Sequence, residues 1–382
     1  VRAPLRLSVL VGLLPALLLG PALGAQEAGP KYLAFGDSIT EGFGDTDPTE
    51  TGYPSRLQAL LRQSGQPEAR VANHGMGGER TSEGLSRIGS VLGSGGDFIL
   101  IMEGTNDINA KISTATTLFN LQQMVARARS AGITPIWSPV IPLRPSAGTT
   151  ADRDLAIAMR QRSLTDDIEL VDAYAAFSYY PNAWPELYNQ TLPRDPVGHP
   201  NGAGYDLLAQ TFADVILGRD TTPPVLGSVV PEDGAEGVGA GQPIEVVVFD
   251  HGAGIDATTT AMFVNGEPVT AQHSGGASRS TYNYDPPAPW SGVVTVEMDL
   301  HDLAGNTQRV TAIRFTVEGA SFFRGDIDRN GRVDGYDLVL LAFSFGAGAG
   351  NNRYRPEHDL DNDGFVGGSD LAILASNFGR GA

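Results

Sequence analysis

Cysteine is absent from all 382 residues. No disulfide can brace the fold, no thiolate can act as nucleophile or metal ligand, and no lipid-bearing cysteine is possible. Cations are scarce as well: 26 Lys and Arg face 44 Asp and Glu, for a net charge of −18 and a pI near 4.6. That balance argues against nucleic acid and anionic membranes as partners, since both select clustered positive charge. Long apolar runs are missing too. The segment Leu5 through Leu19 is interrupted by Pro15 and falls short of the ~18–20 residues of a spanning helix, so no membrane span is expected. Arg2 and Arg6 flank its start, and Ala22-Leu23-Gly24-Ala25 supplies small residues after it. The run reads as a signal peptide over 1–25, which predicts bacterial-type export to the medium or the cell surface.

The remaining chain is too long for one core, because single cores rarely grow beyond about 250–300 residues. Its pattern changes twice, predicting modules over 26–220, 221–319 and 320–382. In the first, short apolar runs (Lys31–Phe35, Phe98–Met102, Thr134–Ser138, Glu169–Asp172) alternate with helical spacing (Tyr53–Arg62, Leu118–Ser130, Arg153–Leu164, Gly204–Leu217). Strands alternating with helices imply a parallel sheet sandwiched by helices. Asp220-Thr221-Thr222-Pro223-Pro224 then reads as an extended linker. Beyond it, Ile244–Phe249, Met262–Val264, Val293–Met298 and Ile313–Val317 read as strands, with turn signals at Asn265-Gly266 and at Asp302 to Asn306. This predicts a β-sandwich, most simply a spacer, with glycan binding the lesser reading.

The first module places a serine where chemistry is expected. In Phe35-Gly36-Asp37-Ser38, an apolar strand ends in a glycine-flanked serine, and a helix-compatible segment follows. Such a turn exposes a hydroxyl at the carboxyl edge of a sheet and aims backbone N–H groups at a developing negative charge. Asn73-His74-Gly75-Met76-Gly77-Gly78, Gly104-Thr105-Asn106-Asp107 and His199-Pro200-Asn201 follow in order. Together the four segments resemble the blocks of the SGNH hydrolase (GDSL esterase/lipase) superfamily.

The resemblance implies a flavodoxin-like α/β fold and serine ester hydrolysis with no catalytic cofactor. Carried over by position, Ser38 is the nucleophile and His199 its base. The Ser38 and Gly78 N–H groups and the Asn106 carboxamide form the oxyanion hole, with Gly75 the less favoured alternative to Gly78. His74 is a rival histidine, more fitting as a wall residue. The family's Asp-x-x-His pattern would put the orienting acid on Pro196. Asp195 lies one residue earlier, and a longer turn at Gly198 could still bring it to His199; a Ser-His dyad is the alternative. The middle module resembles bacterial immunoglobulin-like domains in its Thr-Pro-Pro start and its Asp-x-x-Gly-Asn turn.

The last module repeats itself. Asp326-x-Asp328-x-Asn330-Gly331-x-Val333-Asp334-x-x-Asp337 is echoed by Asp359-x-Asp361-x-Asp363-Gly364-x-Val366-Gly367-x-x-Asp370. Oxygen ligands at positions 1, 3, 5 and 12, a backbone carbonyl at 7 (Arg332, Phe365) and glycine at 6 describe a twelve-residue calcium loop. An apolar segment of helical spacing follows each loop. These duplicated units, with Asp at position 12, resemble a dockerin module, which implies two Ca²⁺ sites and a cohesin-type scaffold protein as partner. Module association makes an acetylated plant glycan the expected ester substrate. A lipid or aryl ester, or an inert binding protein, are the other readings.

Overall fold

The computed structural model describes residues 29–47, 49, 51–144, 150–180, 183–192, 195, 198–317, 324–328, 330–348, 351–361 and 363–380. The expected signal peptide lies outside them. Strands β1 (Lys31–Gly36), β2 (Arg70–Gly75), β3 (Phe98–Met102), β4 (Thr134–Trp137) and β5 (Glu169–Leu170) form one sheet in the order β2-β1-β3-β4-β5. Every pairing is parallel, and the order is the flavodoxin-like one. Alternate residues of β1 enter opposite cores: Tyr32 and Ala34 face one, Leu33 and Phe35 the other. Helices α2 (Gly52–Gln63) and α9 (Gly202–Ile216) cover the first face through Tyr53, Leu57, Leu208 and Phe212. Helices α3 (Thr81–Leu92), α5 (Thr114–Ser130) and α6 (Ala151–Asp166) cover the second through Ile88, Leu121, Met124 and Leu155. Register sets Gly36 opposite both Gly75 and Met102, so β1, β2 and β3 end level and their outgoing loops share one edge.

Sequence periodicity did not mark β2 and α3. β2 is an edge strand with no fully buried residue, so it lacks the apolar run of its neighbours. In α3, Gly84 and Gly89 dilute the helical pattern. A Cβ at Gly84 would lie 3.1 Å from Met124 and 3.3 Å from Phe35, so close packing on the sheet favours glycine there.

The middle module comprises β6 (Val225–Val230), β7 (Ala235–Val238), β8 (Ile244–Phe249), β9 (Ala261–Val264), β10 (Glu267–Val269), β11 (Gln272–Gly276), β12 (Arg279–Tyr284), β13 (Val293–His301) and β14 (Thr307–Val317). They form two facing sheets, β10-β9-β13-β14-β7 and β11-β12-β8-β6, with Val246, Val248, Val294, Val296 and Phe315 between them. Of these, β8 has the bounds read from the sequence, and β9, β13 and β14 extend theirs. Asn265 and Gly266 take φ of 53° and 81°, the paired left-handed geometry of a tight hairpin.

The segment after α9 is held rather than free. Asp220 Oδ2 accepts from Ala253 N at 2.6 Å, and Thr221 Oγ1 donates to Asp214 Oδ2 at 2.9 Å. Val225, Val247 and Phe249 pack on Ala175 of the α/β layer. Beside them the buried Arg160 donates to both oxygens of Asp172, at 2.6 and 3.0 Å, and to the Leu226 carbonyl at 3.3 Å. The middle module is thus seated on the α/β layer: local composition signals the prolines but not the distant groups that tether them.

In the tail, α10 (Gly335–Ser344) and α11 (Gly368–Asn377) each follow an acidic loop. The loops' Val333 and Val366 are fully buried. Val333 exchanges backbone hydrogen bonds with Gly379 and Arg380 after α11, and Val366 with Gly346 and Ala347 after α10, so each loop closes on the other unit.

Burial works against charge at both Arg160 and Asp172, but their mutual attraction wins: it holds the carboxyl below its usual range and raises the guanidinium. Asp172 therefore stabilises the fold above its unfolded pKa of about 4, and that contribution fades as pH falls through the lower folded value. Arg160→Met should cost ~3–5 kcal/mol near neutral pH, because a buried carboxylate is left alone. In urea unfolding the deficit should shrink below about pH 4.

Candidate active site and calcium loops

Ser38 is the first residue of α1 (Ser38–Glu41), immediately past the end of β1. Asp37 caps this short helix, its Oδ1 accepting from Ile39 N at 2.9 Å. Burial pushes the Asp37 carboxyl up to about 6, opposed by that N–H. Ser38 is 8% exposed, and its Oγ lies 2.8 Å from His199 Nε2. On the far side of the ring, Nδ1 is 3.0 Å from Asp195 Oδ2. One tautomer satisfies both contacts: Nδ1–H donates to the carboxylate, and Nε2 accepts from the serine hydroxyl.

Asp195 also accepts from the backbone N–H groups of Gly198 (3.1 Å) and His199 (2.7 Å). Burial would raise its pKa, but these N–H groups and the imidazole hold it below the usual carboxylate range. Gly198 has φ of 82°, the left-handed conformation that accommodates the extra residue between acid and base. A side chain there would also crowd Trp184 and Tyr188, at 3.1 and 3.2 Å. Pro196, where the family pattern would put the acid, lies outside the described residues.

Asn106 sits in α4 (Thr105–Asn109), directly after β3. Its Nδ2 donates to the Glu79 carbonyl at 2.8 Å, which fixes the carboxamide's orientation and leaves its second N–H available. Gly78 takes φ of 78°, and its N–H meets no acceptor among the described residues. The Gly75 N–H is committed to Asn73 Oδ1 at 2.8 Å, which disfavours the alternative donor. Asp107 binds Thr81 through N (2.8 Å) and Oγ1 (2.5 Å), clamping the β3–α4 turn to the start of α3. His74 makes no hydrogen bond to Ser38 among the described residues; burial, with Arg87 and Lys31 nearby, lowers its pKa. Phe43, 53% exposed, stands edge-on to His199 at 4.8 Å and forms a wall that periodicity could not signal.

In the tail, carboxylate oxygens of Asp326, Asp328 and Asp337 lie within 4.8 Å of one another, as do those of Asp359, Asp361 and Asp363. Asp370 is not within that spacing of the second set; its oxygens accept from Leu360, Asp361 and Gly367 N–H groups. Asn330 Oδ1 accepts from Arg332 N at 2.8 Å. The Arg332 and Phe365 carbonyls accept no backbone N–H among the described residues. Asp326 Oδ1 is buried without a hydrogen-bond partner among the described residues, and burial pushes that carboxyl up to about 6, with Asp337 and Asp328 adding to it. An orphaned, hard oxygen among carboxylates fits a calcium ion.

Residues 34–207 match the GDSL-like lipase/acylhydrolase family, and residues 324–378 match the dockerin type I domain. The chain therefore carries a GDSL-like lipase/acylhydrolase domain and a dockerin type I domain, a calcium-binding module, and is a carboxylic ester hydrolase. Among solved structures it is similar to the lipase/acylhydrolase from Enterococcus faecalis: 26% identity over 50% of this chain and 96% of that one, TM-score 0.43. A catalytic variant of the acetylxylan esterase Axe2 from Geobacillus stearothermophilus shares 23% identity over 50% of this chain and 96% of its own, TM-score 0.43. A member of the lipolytic G-D-S-L family from Veillonella parvula shares 20% over 48% and 97%, TM-score 0.42. No curated protein matches the chain.

Gly198→Ala should forfeit ~1–2 kcal/mol of stability through its left-handed φ, read by urea unfolding. Esterase activity should fall at least tenfold, because the turn that presents Asp195 to His199 is disturbed. A variant with wild-type activity would show that this turn does not set the site.

Proposed function

We propose that the protein is an exported serine esterase that removes acetyl groups from a plant glycan, using Ser38, His199 and Asp195. The observation that carries the chemistry is the continuous hydrogen-bonded line from Asp195 through His199 to Ser38 Oγ. Ser38 Oγ attacks the ester carbonyl carbon while its proton passes to His199 Nε2. The resulting oxyanion is held by the N–H groups of Ser38 and Gly78 and by the free N–H of Asn106. As the intermediate collapses, His199 returns the proton to the departing alcohol oxygen. Water, deprotonated by the same imidazole, then attacks the acyl-serine, and His199 returns that proton to Ser38 Oγ as the carboxylic acid leaves. Asp195 holds the tautomer and balances the imidazolium charge. No step is assigned to a metal.

The substrate class rests on the company the domain keeps. A dockerin type I domain implies a cohesin-bearing scaffold, the setting of enzymes that act on plant polysaccharide. The exposed Phe43 ring beside His199 offers a sugar an apolar face to rest on. We assign Ca²⁺ to two tail sites: Asp326, Asp328, Asn330, the Arg332 carbonyl and Asp337 in one, and Asp359, Asp361, Asp363, the Phe365 carbonyl and Asp370 in the other. Bare carboxylates repel one another, so the ion should couple to folding of the tail.

Acetate release from p-nitrophenyl acetate and from acetylated xylan tests the catalytic reading. Both should be hydrolysed, and Ser38→Ala should lose at least ~1,000-fold in kcat. Asp195→Ala should lose about 100-fold or more, whereas a loss below fivefold would reduce the triad to a dyad. Turnover of the aryl ester alone would remove the glycan.

Chelation tests the tail. EDTA should lower far-UV helicity and expose the tail to protease, Ca²⁺ should restore both, and p-nitrophenyl acetate turnover should stay unchanged. A tail indifferent to EDTA would overturn the calcium assignment.

A further inference from the structure

Below the candidate oxyanion hole lies a carboxyl group that the mechanism above does not use. Glu103 follows the last residue of β3 and is fully buried. Neither of its oxygens meets an N–H or O–H donor among the described residues. Its apolar surroundings include Phe35 of β1 and Met124 of α5, both of which crowd the same point on α3: a Cβ at Gly84 would lie 3.2 Å from Glu103 Oε1, 3.1 Å from Met124 and 3.3 Å from Phe35. An ionised carboxylate cannot rest there without a counter-charge.

The group that faces it is another carboxyl. Glu79, in the loop between β2 and α3, lies within hydrogen-bonding reach of Glu103. That contact forms only when one of the two carries a proton. Glu79 already has a cation: Arg87 of α3 donates Nε to Oε1 at 2.8 Å and Nη2 to Oε2 at 2.5 Å, while stacking 4.2 Å over Phe35. The shared proton therefore belongs on Glu103, the member without a cation. Burial first, then the charges of Asp37 and Glu79 and, more weakly, Asp107, drive the Glu103 pKa well above the usual carboxylate range.

Glu79 is also where the oxyanion donors are anchored. Its carbonyl accepts from Asn106 Nδ2 at 2.8 Å, its own N–H bonds the Met76 carbonyl at 3.2 Å, and Gly78 directly precedes it. We propose that Glu103 is a positioning residue: it donates its carboxyl proton to Glu79, and this bond, opposite Arg87, holds the Glu79 backbone so that Gly78 and Asn106 stay aimed at the oxyanion. The proposal rests on the assignment of Gly78 and Asn106 as oxyanion donors. It adds that a protonated acid two shells from the substrate sets how well they work.

The experiment compares Glu103→Leu, Glu103→Met, Glu103→Gln, Asn106→Ala and Asn106→Ala/Glu103→Leu in the full chain, with p-nitrophenyl acetate as substrate and urea unfolding alongside. Leu and Met fill the volume at no desolvation cost, so the unfolding midpoint should hold or rise in at least one of them. In that variant kcat should fall tenfold or more with KM within threefold, because donors that act on the transition state are misaimed. Glu103→Gln donates an N–H to Glu79 and should keep kcat within threefold. Because Gln cannot titrate, any alkaline decline of kcat due to Glu103 should disappear in that variant. In the Asn106→Ala background, Glu103→Leu should add less than threefold. Wild-type kcat in stable Glu103→Leu or Glu103→Met, or a full additional loss in the double variant, would overturn the proposal while leaving the oxyanion assignment standing. Asn106→Ala with wild-type kcat would overturn that assignment, and this proposal with it.

Discussion

The site depends on one contact, the 2.8 Å hydrogen bond between Ser38 Oγ and His199 Nε2, whose partners are 161 residues apart in the chain. A serine hydroxyl is a poor nucleophile unless a base takes its proton during attack, so this distance has to be held to a few tenths of an ångström. The central sheet cannot do that alone, because His199 stands on a loop beyond its last strand. Loop-to-loop bonds complete the job. Asn189 N donates to the His199 carbonyl at 2.8 Å, while Asn189 Nδ2 reaches across to the Gly44 carbonyl at 2.6 Å. Tyr205 of α9 donates its hydroxyl to the Phe43 carbonyl at 2.7 Å. The histidine loop is thereby stitched to the loop that follows the serine helix, and α9 is packed on the sheet through Phe212 and Leu208.

What the sequence makes legible is what is encoded locally. Ser38 announces itself because its strand, turn and cap are consecutive residues. The tail loops do so because all their oxygens fall within twelve positions, and duplication separates them from a chance acidic turn. Asn106 is legible only in the company of the other blocks. Asp195 shows the limit of spacing rules. One additional residue displaces the acid from its expected position, and the left-handed Gly198 absorbs it; a glycine shows that such a turn is allowed, not that it is made. The seating of the middle module was not legible at all, since Arg160, Asp172 and Leu226 come together only in three dimensions. Their neighbours along the chain give no sign of the contact.

Glu103 and Glu79 belong to the same hidden category. In the sequence they are two glutamates on either side of helix α3, easily taken as solvated charges of an acidic protein. In the structure they are 0% and 4% exposed, and the Arg87 guanidinium pairs with Glu79. The net charge of −18 therefore divides into populations with different physics. Surface carboxylates are screened by water and salt within about 8–10 Å. Those of the tail loops crowd one another, with oxygens of Asp326, Asp328 and Asp337 within 4.8 Å. Those behind Gly78 and Asn106 are neither screened nor matched one to one.

That last population bears directly on catalysis. Ester hydrolysis by serine builds a negative charge where none was before. An ionised carboxylate ~8 Å from it, across a medium of effective dielectric near 20, would oppose that charge by about 2 kcal/mol. Several such groups together would offset much of what an oxyanion hole contributes. Placing oxyanion donors above buried acids is therefore tenable only if the deepest acid is kept neutral and its neighbour is matched by a cation. Burial of Glu103 without a donor enforces the first condition, and Arg87 on Glu79 supplies the second. Asp37, with its N–H-bonded Oδ1 directly behind the serine, is the carboxyl whose charge the site must still tolerate. Its field also favours a positive charge on His199, so under the proposed mechanism the carboxylate that opposes the oxyanion assists the base.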